Sequence, residues 1–413
     1  MYNTGNAGFL AAACNSNRII DTKTTLALPS SSVELNTDDI VSYKLQYAST
    51  GGKTFTPGSF VASRLELSLN AASTKVSGVN FKTTPVANLV VSAGVKVSKD
   101  MVYVSMGKFY PEKDGVEAGD DGHVSIHATD LPPVLSEQFN SSSLSLPCTV
   151  SEALGVISSE TGLTITAKAT DFPNLSVVLI ESFALVSTYR DALMYVAEAL
   201  GGFACMGRDG QILLKRCFSG LVDLGCVLDE NYLFSVKKQE SSVKPFQYIS
   251  IKAEKDDLGV TQEVSGVTTE RHYDIISNPL TYGHPEDFLA GLVSPTAFTE
   301  FYPASISFQG RPDIDVGDVL SYVYKGVTYI IPVCNHTFEY NGGFKTTVES
   351  IGTDAQKTSS VDSGTKVQIE VLKQSRHLYK VTIYLSYLRL RLSQVSEQGI
   401  DVLLQHLYLN LCT

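Results

Sequence analysis

Five carboxylates within ten residues are the side chains whose type and spacing first suggest chemistry in this chain. They are Glu112, Asp114, Glu117, Asp120 and Asp121. Spaced carboxylates can bind calcium, but this spacing does not match the EF-hand loop. A solvated hairpin loop is the favoured interpretation. Metal occupancy of the loop at 112–121 stays open.

Two histidines follow, and His123 and His127 would lie on one face of a strand. A zinc site needs three or four protein ligands, and the sequence places no third one beside them. The seven cysteines are Cys14, Cys148, Cys205, Cys217, Cys226, Cys334 and Cys412. Because they are odd in number and form no C-x-x-C pair, neither a disulfide scaffold nor a zinc ribbon is predicted. Folding in a reducing cytoplasm is expected.

Sequence signatures of catalysis are missing. The chain has no G-x-S-x-G elbow, no H-E-x-x-H, no P-loop and no G-x-G-x-x-G after a predicted strand. We therefore predict no catalytic, cofactor-binding or metal-binding residues, no cofactor and no enzyme activity. A carboxylate pair for glycoside hydrolysis stays open, because the spacing of such a pair is set in space rather than along the chain.

Composition and charge narrow the function classes further. Of the 413 residues, 43% are hydrophobic and 18% are charged, which is typical of a β-rich protein with polar surfaces. The formal net charge of −11 disfavours a protein that grips nucleic acid, but it is compatible with a surface past which DNA slides. No apolar stretch is long enough for a transmembrane helix, so we expect no membrane anchor.

The elements that must position these residues begin with residues 1–140, a segment predicted to be β-rich. Its first residues are predicted to form an arm or an early strand that needs a partner for order. Val61, Leu65, Leu67 and Leu69 alternate with polar residues, as in a half-buried strand. Turn signals recur at Gly51-Gly52, Pro57-Gly58, Asp114-Gly115 and Asp121-Gly122. Short strands at this spacing favour a sandwich or barrel.

Residues 141–235 are predicted to hold two capped helices. Thr149 with Glu152, and Thr188 with Asp191, have capping-box spacing, and each helix is followed by a glycine stop. The stops are Gly162 and Gly201-Gly202. One buried stripe is expected on the second helix. A strand at 163–167 and a hairpin of 203–206 with 211–215, turned at 207–210, complete a small α/β unit.

Residues 236–355 return to β structure. Hairpins are predicted with turns at Lys325-Gly326 and Asn341-Gly342-Gly343, and a short helix at Pro285–Val293 lies in an insertion near 277–310. Residues 356–413 are predicted to be a linker and a C-terminal stalk or docking segment, whose role stays open.

Three strings in this order resemble the hub proteins at the tip of phage tails, a family that includes baseplate hubs and the N-terminal part of tail-associated lysins. The positions that carry the resemblance are Tyr189, Arg190, Gly201, Gly202, Asp209 and Gly210 in the first string, Gly310, Pro312, Ile314, Gly317 and Asp318 in the second, and Gly342 and Gly343 in the third. Residues 33–41, 56–69 and 127–135 resemble the first barrel of the same proteins.

The resemblance implies a β-rich α+β multidomain protein, with two barrel-like tail-tube domains and a small α/β domain between them. It implies a structural component of the virion, a homotrimeric hub at the distal end of the tail that adapts a sixfold tube to a threefold tip around the DNA path. The implied partners are a distal tail or tube protein, a tape-measure protein and tail fibre or tip proteins, and DNA passes without specific binding.

Two alternatives stay open at this point. One is a cell-wall-degrading tail enzyme with an active site dispersed through the α/β unit. The other is a receptor-binding tail protein that recognises host glycan through an exposed aromatic patch. The host and the tail type, contractile or non-contractile, are not determined by the sequence.

Overall fold

The computed structural model describes residues 2, 4–51, 57–119, 122–176, 179–183, 186–216, 227–228, 232–243, 248–252, 259–263, 272–276, 278–296 and 300–350. Some predictions concern residues outside these ranges: Gly52, Asp120, Asp121, Cys217, Cys226, Cys412 and the segment 356–413. No helix in the described part of the chain is long and apolar enough to span a bilayer.

The first part of the chain consists mainly of antiparallel strands. They are β1 (Ile20–Ala27), β2 (Ser32–Leu35), β3 (Ile40–Ala48), β4 (Arg64–Asn70), β5 (Asn88–Val97), β6 (Asp100–Ala118) and β7 (His123–Thr129), with two short helices, α1 (Phe9–Ala13) and α2 (Thr74–Ser77). The predicted alternation in β4 is confirmed, since Leu65, Leu67 and Leu69 are buried and Glu66 is exposed.

Two predictions in this part are wrong in detail. Asp114-Gly115 is not a turn but lies inside β6, where Asp114 has φ +60° and the β6–β7 register shifts between Pro111 and Val116. The turn-forming residues accommodate a bulge instead. The described residues of the N-terminal arm form no early strand. They contain α1, which buries Phe9 in the core of this segment.

The middle part contains β8 (Cys148–Thr149), α3 (Val150–Thr161), β9 (Ile165–Thr166), β10 (Leu179–Ile180), α4 (Tyr189–Ala199), β11 (Gly202–Met206) and β12 (Ile212–Arg216). Both predicted capping boxes are present, and Gly162 and Gly201 are left-handed, with φ +67° and +70°. The predicted strand at 163–167 is reduced to β9. α4 is buried at eight positions rather than along one stripe, because α3, β11 and short helical turns pack around it.

The last described part contains β13 (Val227–Leu228), β14 (Leu233–Lys238), β15 (Tyr248–Lys252), β16 (Gly259–Glu263), β17 (His272–Ile276), α5 (Pro285–Thr296), β18 (Ala304–Gln309), β19 (Val319–Tyr324), β20 (Val327–Pro332), β21 (Asn335–Tyr340) and β22 (Phe344–Glu349). The helix and both hairpins are confirmed. At the first turn, Lys325 and Gly326 are both left-handed, with φ +53° and +74°, as a tight hairpin requires.

An 11-stranded sheet joins the first and last parts of the chain, in the order β14-β18-β22-β21-β3-β4-β7-β6-β5-β1-β2. The strands meet at β3 and β21, where Tyr43 lies opposite Tyr340 and Ala48 opposite Asn335. The sheet curls, since the Thr22 hydroxyl on β1 lies 3.3 Å from the Tyr43 hydroxyl on β3. The described strands form no closed barrel, so the mostly β fold is confirmed and the two barrels are not.

Two hydrophobic cores lie against this sheet. The larger contains inward side chains of the first part together with Phe338, Tyr340 and Phe344 from the last part. The smaller lies between β18, β22 and the β19–β20 hairpin, around Phe308 and Tyr322. Because the last part contributes to both cores, the two β segments depend on each other for burial. The boundaries of the four predicted segments stay a prediction.

Candidate functional site

The residues that first suggested metal chemistry are spread along two strands. Glu112, Asp114 and Glu117 are exposed on β6, and His123 and His127 lie on β7. Within the described ranges, no group of three or more His, Cys, Asp or Glu side chains is arranged to hold a metal ion. Charged residues converge instead at two other places, one buried and one exposed.

The buried place is centred on Arg208, in the turn of the β11–β12 hairpin. Its guanidinium donates to the Asp315 carboxylate at 2.8 Å and to the backbone oxygens of Ser105, Pro312 and Ile314 at 2.9, 2.6 and 2.7 Å. Arg208 is only 8% exposed. A single side chain of the middle part therefore binds both the first and the last parts of the chain.

Lys215, on β12, adds a second connection between the hairpin and the loop before β19. Its Nζ donates to the backbone oxygen of Val316 at 2.9 Å. Gly317 has φ +86°, and a Cβ there would lie 2.9 Å from the Phe203 ring, so glycine is required for both reasons. The first and second motif strings are therefore packed against each other in space.

The second string is held rigid by its own charges. Arg311 forms a bidentate pair with Asp313 at 2.8 and 2.6 Å, and both side chains are buried. The Asp318 carboxylate accepts from the backbone N–H of Asp315 at 2.8 Å. A Cβ on Gly310 would lie 2.5 Å from the Phe344 backbone. We call Arg208, Lys215, Arg311, Asp313 and Asp315 the junction.

The electrostatics of the junction favour charged pairs. Burial alone would raise the pKa of Asp315, but Arg208 and Lys215 hold it below its ordinary value. Burial would lower the pKa of each of these cations, and their anionic surroundings, Asp315 included, raise it instead. The pKa of Asp318 is raised by burial and by the neighbouring Asp315. The charged forms of Arg208, Lys215 and Asp315 are thus favoured, which suits a structural role.

A cavity of about 40 Å³ adjoins the junction and is lined by Tyr47, Asp130, Cys205 and Lys215 among others. Burial raises the pKa of Asp130 to about 7, against the bond that its Oδ1 accepts from the Ser63 backbone N–H at 2.8 Å. Burial raises the pKa of the Cys205 thiol to about 11. The thiol is thus protonated at neutral pH and is not an activated nucleophile.

His336 lies nearby and stacks on Tyr47 with ring centroids 5.4 Å apart. Burial lowers its pKa to about 3, and neither ring nitrogen has a hydrogen-bond partner among the described residues. A histidine that is neutral throughout the physiological range does not shuttle protons there. The chemistry available around the junction is therefore hydrogen bonding and ion pairing between chain segments.

The remaining motif residues also have structural contacts. The Tyr189 hydroxyl donates to Glu160 at 2.6 Å, and Arg190 donates to the Phe60 backbone oxygen at 2.7 Å. A Cβ on Gly202 would lie 2.4 Å from the Lys215 oxygen. Asp209 and Gly210 complete the Arg208 turn, Pro312 supplies a carbonyl to Arg208, and Gly342 and Gly343 form the β21–β22 turn.

Sequence reasoning missed the five residues of the junction, although all lie within or beside the motif strings. A glycine or aspartate in a turn has a local signature. The partner of a buried arginine does not, because Arg208 and Asp315 are separated by more than a hundred positions. One signal in the sequence could have pointed to these residues. The motif strings are dense in charged residues, although a turn alone would explain only their glycines and aspartates.

The exposed place lies on the side of the large sheet that faces away from the core. The residues directly opposite each other on β22, β21, β3, β4 and β7 are Lys345, Glu339, Lys44, Glu66 and His127. We call these five residues the charge row. They line a groove of about 610 Å³. Opposite charges alternate along the row across the meeting point of the first and last parts of the chain.

Polar rows flank the charge row on both sides. Ser42, Ser68 and Ser125 face each other on one side. The row on the other side consists of Thr347, Thr337, Gln46, Arg64 and Thr129, of which Arg64 is charged. On the reverse of the same strands, buried side chains such as Leu45, Leu65 and Phe338 form the larger core. The sheet therefore has one apolar and one polar face, and both continue across the two β segments.

No family model and no curated relative matches this chain. Among solved structures it is similar to the 43 kDa tail protein of prophage MuSo2 from Shewanella oneidensis, at 10% identity and a TM-score of 0.49, over 81% of this chain and 99% of that one. It is also similar to a tail protein from Neisseria meningitidis MC58, at 10% identity and a TM-score of 0.46, over 82% and 98% of the two chains. Phage tail and baseplate proteins are among the solved structures similar to this chain.

Proposed function

We propose that this chain is a structural component of the distal end of a phage or phage-derived tail. It acts as a homotrimeric hub that closes the tail tube and adapts a sixfold tube to a threefold tip around the DNA path. Its neighbours are a distal tail or tube protein, the tape-measure protein and tail fibre or tip proteins. It has no enzymatic role.

The observation that carries the proposal is the polar face of the large sheet. Strands from both β segments contribute to it, and its rows of hydroxyl, amide and paired charged groups offer no apolar patch to hold a passing polymer. On the charge row itself, Lys44 and Lys345 are balanced by Glu66 and Glu339. The acidity of the whole chain, −11, is not concentrated there. A wall that DNA passes needs such a surface.

The junction supports the same role. The motif strings that resemble tail hubs are in contact through Arg208 and Lys215, which bind the loop that contains Asp315 and Val316. Their charges are satisfied by each other and by backbone carbonyls rather than directed into an open cleft. Such residues hold a fixed arrangement of three chain segments, which a component under mechanical load requires.

Self-association is supported by the two ends of the sheet. Within the described strands, β2 and β14 each have a neighbour on one side only. Unpaired strand edges are templates for further pairing. Because the two ends differ, they suit a head-to-tail ring, in which each copy uses two surfaces, better than an isologous dimer. Phe234, on β14, is 63% exposed. The threefold number comes from the resemblance.

The mass of the purified full chain in solution, followed by negative-stain imaging, tests the proposal. We expect a trimeric ring with an open centre. Phe234→Glu should weaken the assembly, whereas Leu146→Glu, at a position that is 41% exposed and outside the strands of the large sheet, should leave it intact. A monomer that degrades cell wall would overturn the proposal in favour of the lytic alternative.

A further inference from the structure

The charge row has a property that a generally polar surface does not require. Each of its two lysines lies directly opposite at least one glutamate. Lys44 lies between Glu339 and Glu66, and Lys345 lies opposite Glu339, with 3.0 Å between its Nζ and Oε2. Directly opposite residues on antiparallel strands have Cβ atoms about 4.5–5.5 Å apart, so both sides of Lys44 are within reach of a carboxylate.

We propose that Glu66 and Glu339 mask Lys44 and Lys345, so that the groove does not bind the phosphates of duplex DNA. The inference rests on the proposed function and deepens it, since it assigns the non-adhesive property of the DNA-facing wall to two named carboxylates. Both lysines are on the same open groove, and without the glutamates they would form a cationic pair on a concave surface.

The physical basis is counterion release. A lysine that neutralises a phosphate gains affinity by releasing the ions condensed on DNA. A lysine already paired with a carboxylate must give up that pair first, so its net gain is small. The serine row strengthens this effect, because Ser42, Ser68 and Ser125 line the groove with hydroxyl groups and no charge. Along the row, each lysine therefore lies opposite at least one glutamate.

The test uses the full chain and a fluorescent duplex of about 20 base pairs, with binding followed by anisotropy at several salt concentrations. The double variant Glu66→Gln/Glu339→Gln keeps the shape of both side chains and removes their charge. We expect it to bind DNA about fivefold or more tightly than the natural chain at low salt. Its affinity should fall about tenfold between about 50 and about 200 mM salt, as two phosphate contacts predict.

Two controls isolate the charge row. Asp100→Asn/Glu112→Gln changes the net charge equally at exposed positions on β6, and it should gain no DNA binding. Adding Lys44→Gln and Lys345→Gln to the first double variant should remove the gain, because the unmasked lysines are then absent. A gain that persists without these lysines, or that appears equally in the β6 variant, would overturn the masking role.

The outcomes also separate this inference from the proposed function. If the chain forms a ring and does not bind DNA, but Glu66→Gln/Glu339→Gln gains no affinity, the masking role is wrong and the hub stands. If the natural chain already binds the duplex as tightly as the variant, the groove is not a non-adhesive wall. Both the masking role and the proposed DNA-facing function of the sheet are then wrong. A variant that loses stability without gaining affinity would show that the row serves only to fix strand register.

Discussion

The junction and the charge row use the same residue types in opposite surroundings. In the junction, the Arg208 side chain is 7% exposed and that of Asp315 is 26% exposed, and backbone carbonyls complete the hydrogen bonds of the guanidinium. In the charge row, the side chains of Lys345 and Glu339 are 48% and 34% exposed and are in contact with solvent. One cluster joins three parts of the chain, and the other decorates a sheet whose strands are already paired.

The difference shows why charges of the same kind have different consequences in this molecule. A buried charge that loses its partner carries the full cost of desolvation. An exposed charge that loses its partner is hydrated again, so an exposed pair contributes little to stability. We therefore expect the junction to determine whether the chain folds, and the charge row to determine what the folded surface repels or binds.

The largest effect is expected at Arg208. Arg208→Ala leaves the partly buried Asp315 without its main cation and leaves the Pro312 and Ile314 carbonyls without their donor, so the free energy of unfolding should fall by about 3–5 kcal/mol. Urea denaturation measures the loss. Arg208→Lys keeps the charge but not the planar fork, and it should cost less. A loss below about 1 kcal/mol in Arg208→Ala would contradict the distinction between the two clusters.

Asp130 sharpens the comparison, because it is a buried carboxyl whose pKa is raised by burial to near neutral pH. Its pKa, about 7, lies above the ordinary value of 3.8, so the folded state binds more protons than the unfolded state between these values, and this group's contribution to stability falls as pH rises. Asp130→Asn removes this dependence.

Between about pH 5 and about pH 8, Asp130→Asn should gain about 2 kcal/mol in unfolding free energy relative to the natural chain. Paired denaturation curves at the two pH values measure the gain. A difference between variant and natural chain that does not change with pH would show that Asp130 is ionised in the fold throughout, as an exposed carboxylate is.

Two glycines of the motif strings allow a buried site to be compared with an exposed one without a change in charge. Gly310→Ala places a Cβ 2.5 Å from the Phe344 backbone and should destabilise by about 1–3 kcal/mol. Gly343→Ala is the matched control, since a Cβ there has no heavy atom within 4 Å. Thermal unfolding of both variants distinguishes them. Equal effects would mean that the second string is not closely packed against β22.

The smallest effect is expected on the charge row. Lys345→Gln breaks the contact with Glu339 and should change the unfolding free energy by about 0.2–1 kcal/mol, and by less at high salt because the pair is screened. Urea midpoints at low and high salt test this. A loss comparable with that of Arg208→Ala would show that the row, like the junction, is part of the structural core.

Much of the local structure could be predicted from the sequence. Both capping boxes, the glycine stops and the hairpin turns depend on residues within a few positions of each other, and each was observed where predicted. The errors arose where residues with a local turn signature are used instead in pairing with another strand. Asp114-Gly115 has turn chemistry, but β7 pairs along both sides of it and converts the turn to a bulge.

By itself, the sequence determined both capped helices with their glycine stops, the hairpin turns of the middle and last parts, the apolar face of a strand such as β4, and which strings resemble tail hubs. Only the tertiary structure decided that β3 pairs with β21, that Arg208 meets Asp315, and that Lys44 lies between Glu66 and Glu339. The physical reason is that propensity, capping and alternation act over a few residues. The partners of a strand or of a buried charge are selected by burial and hydrogen bonding among segments far apart in the chain.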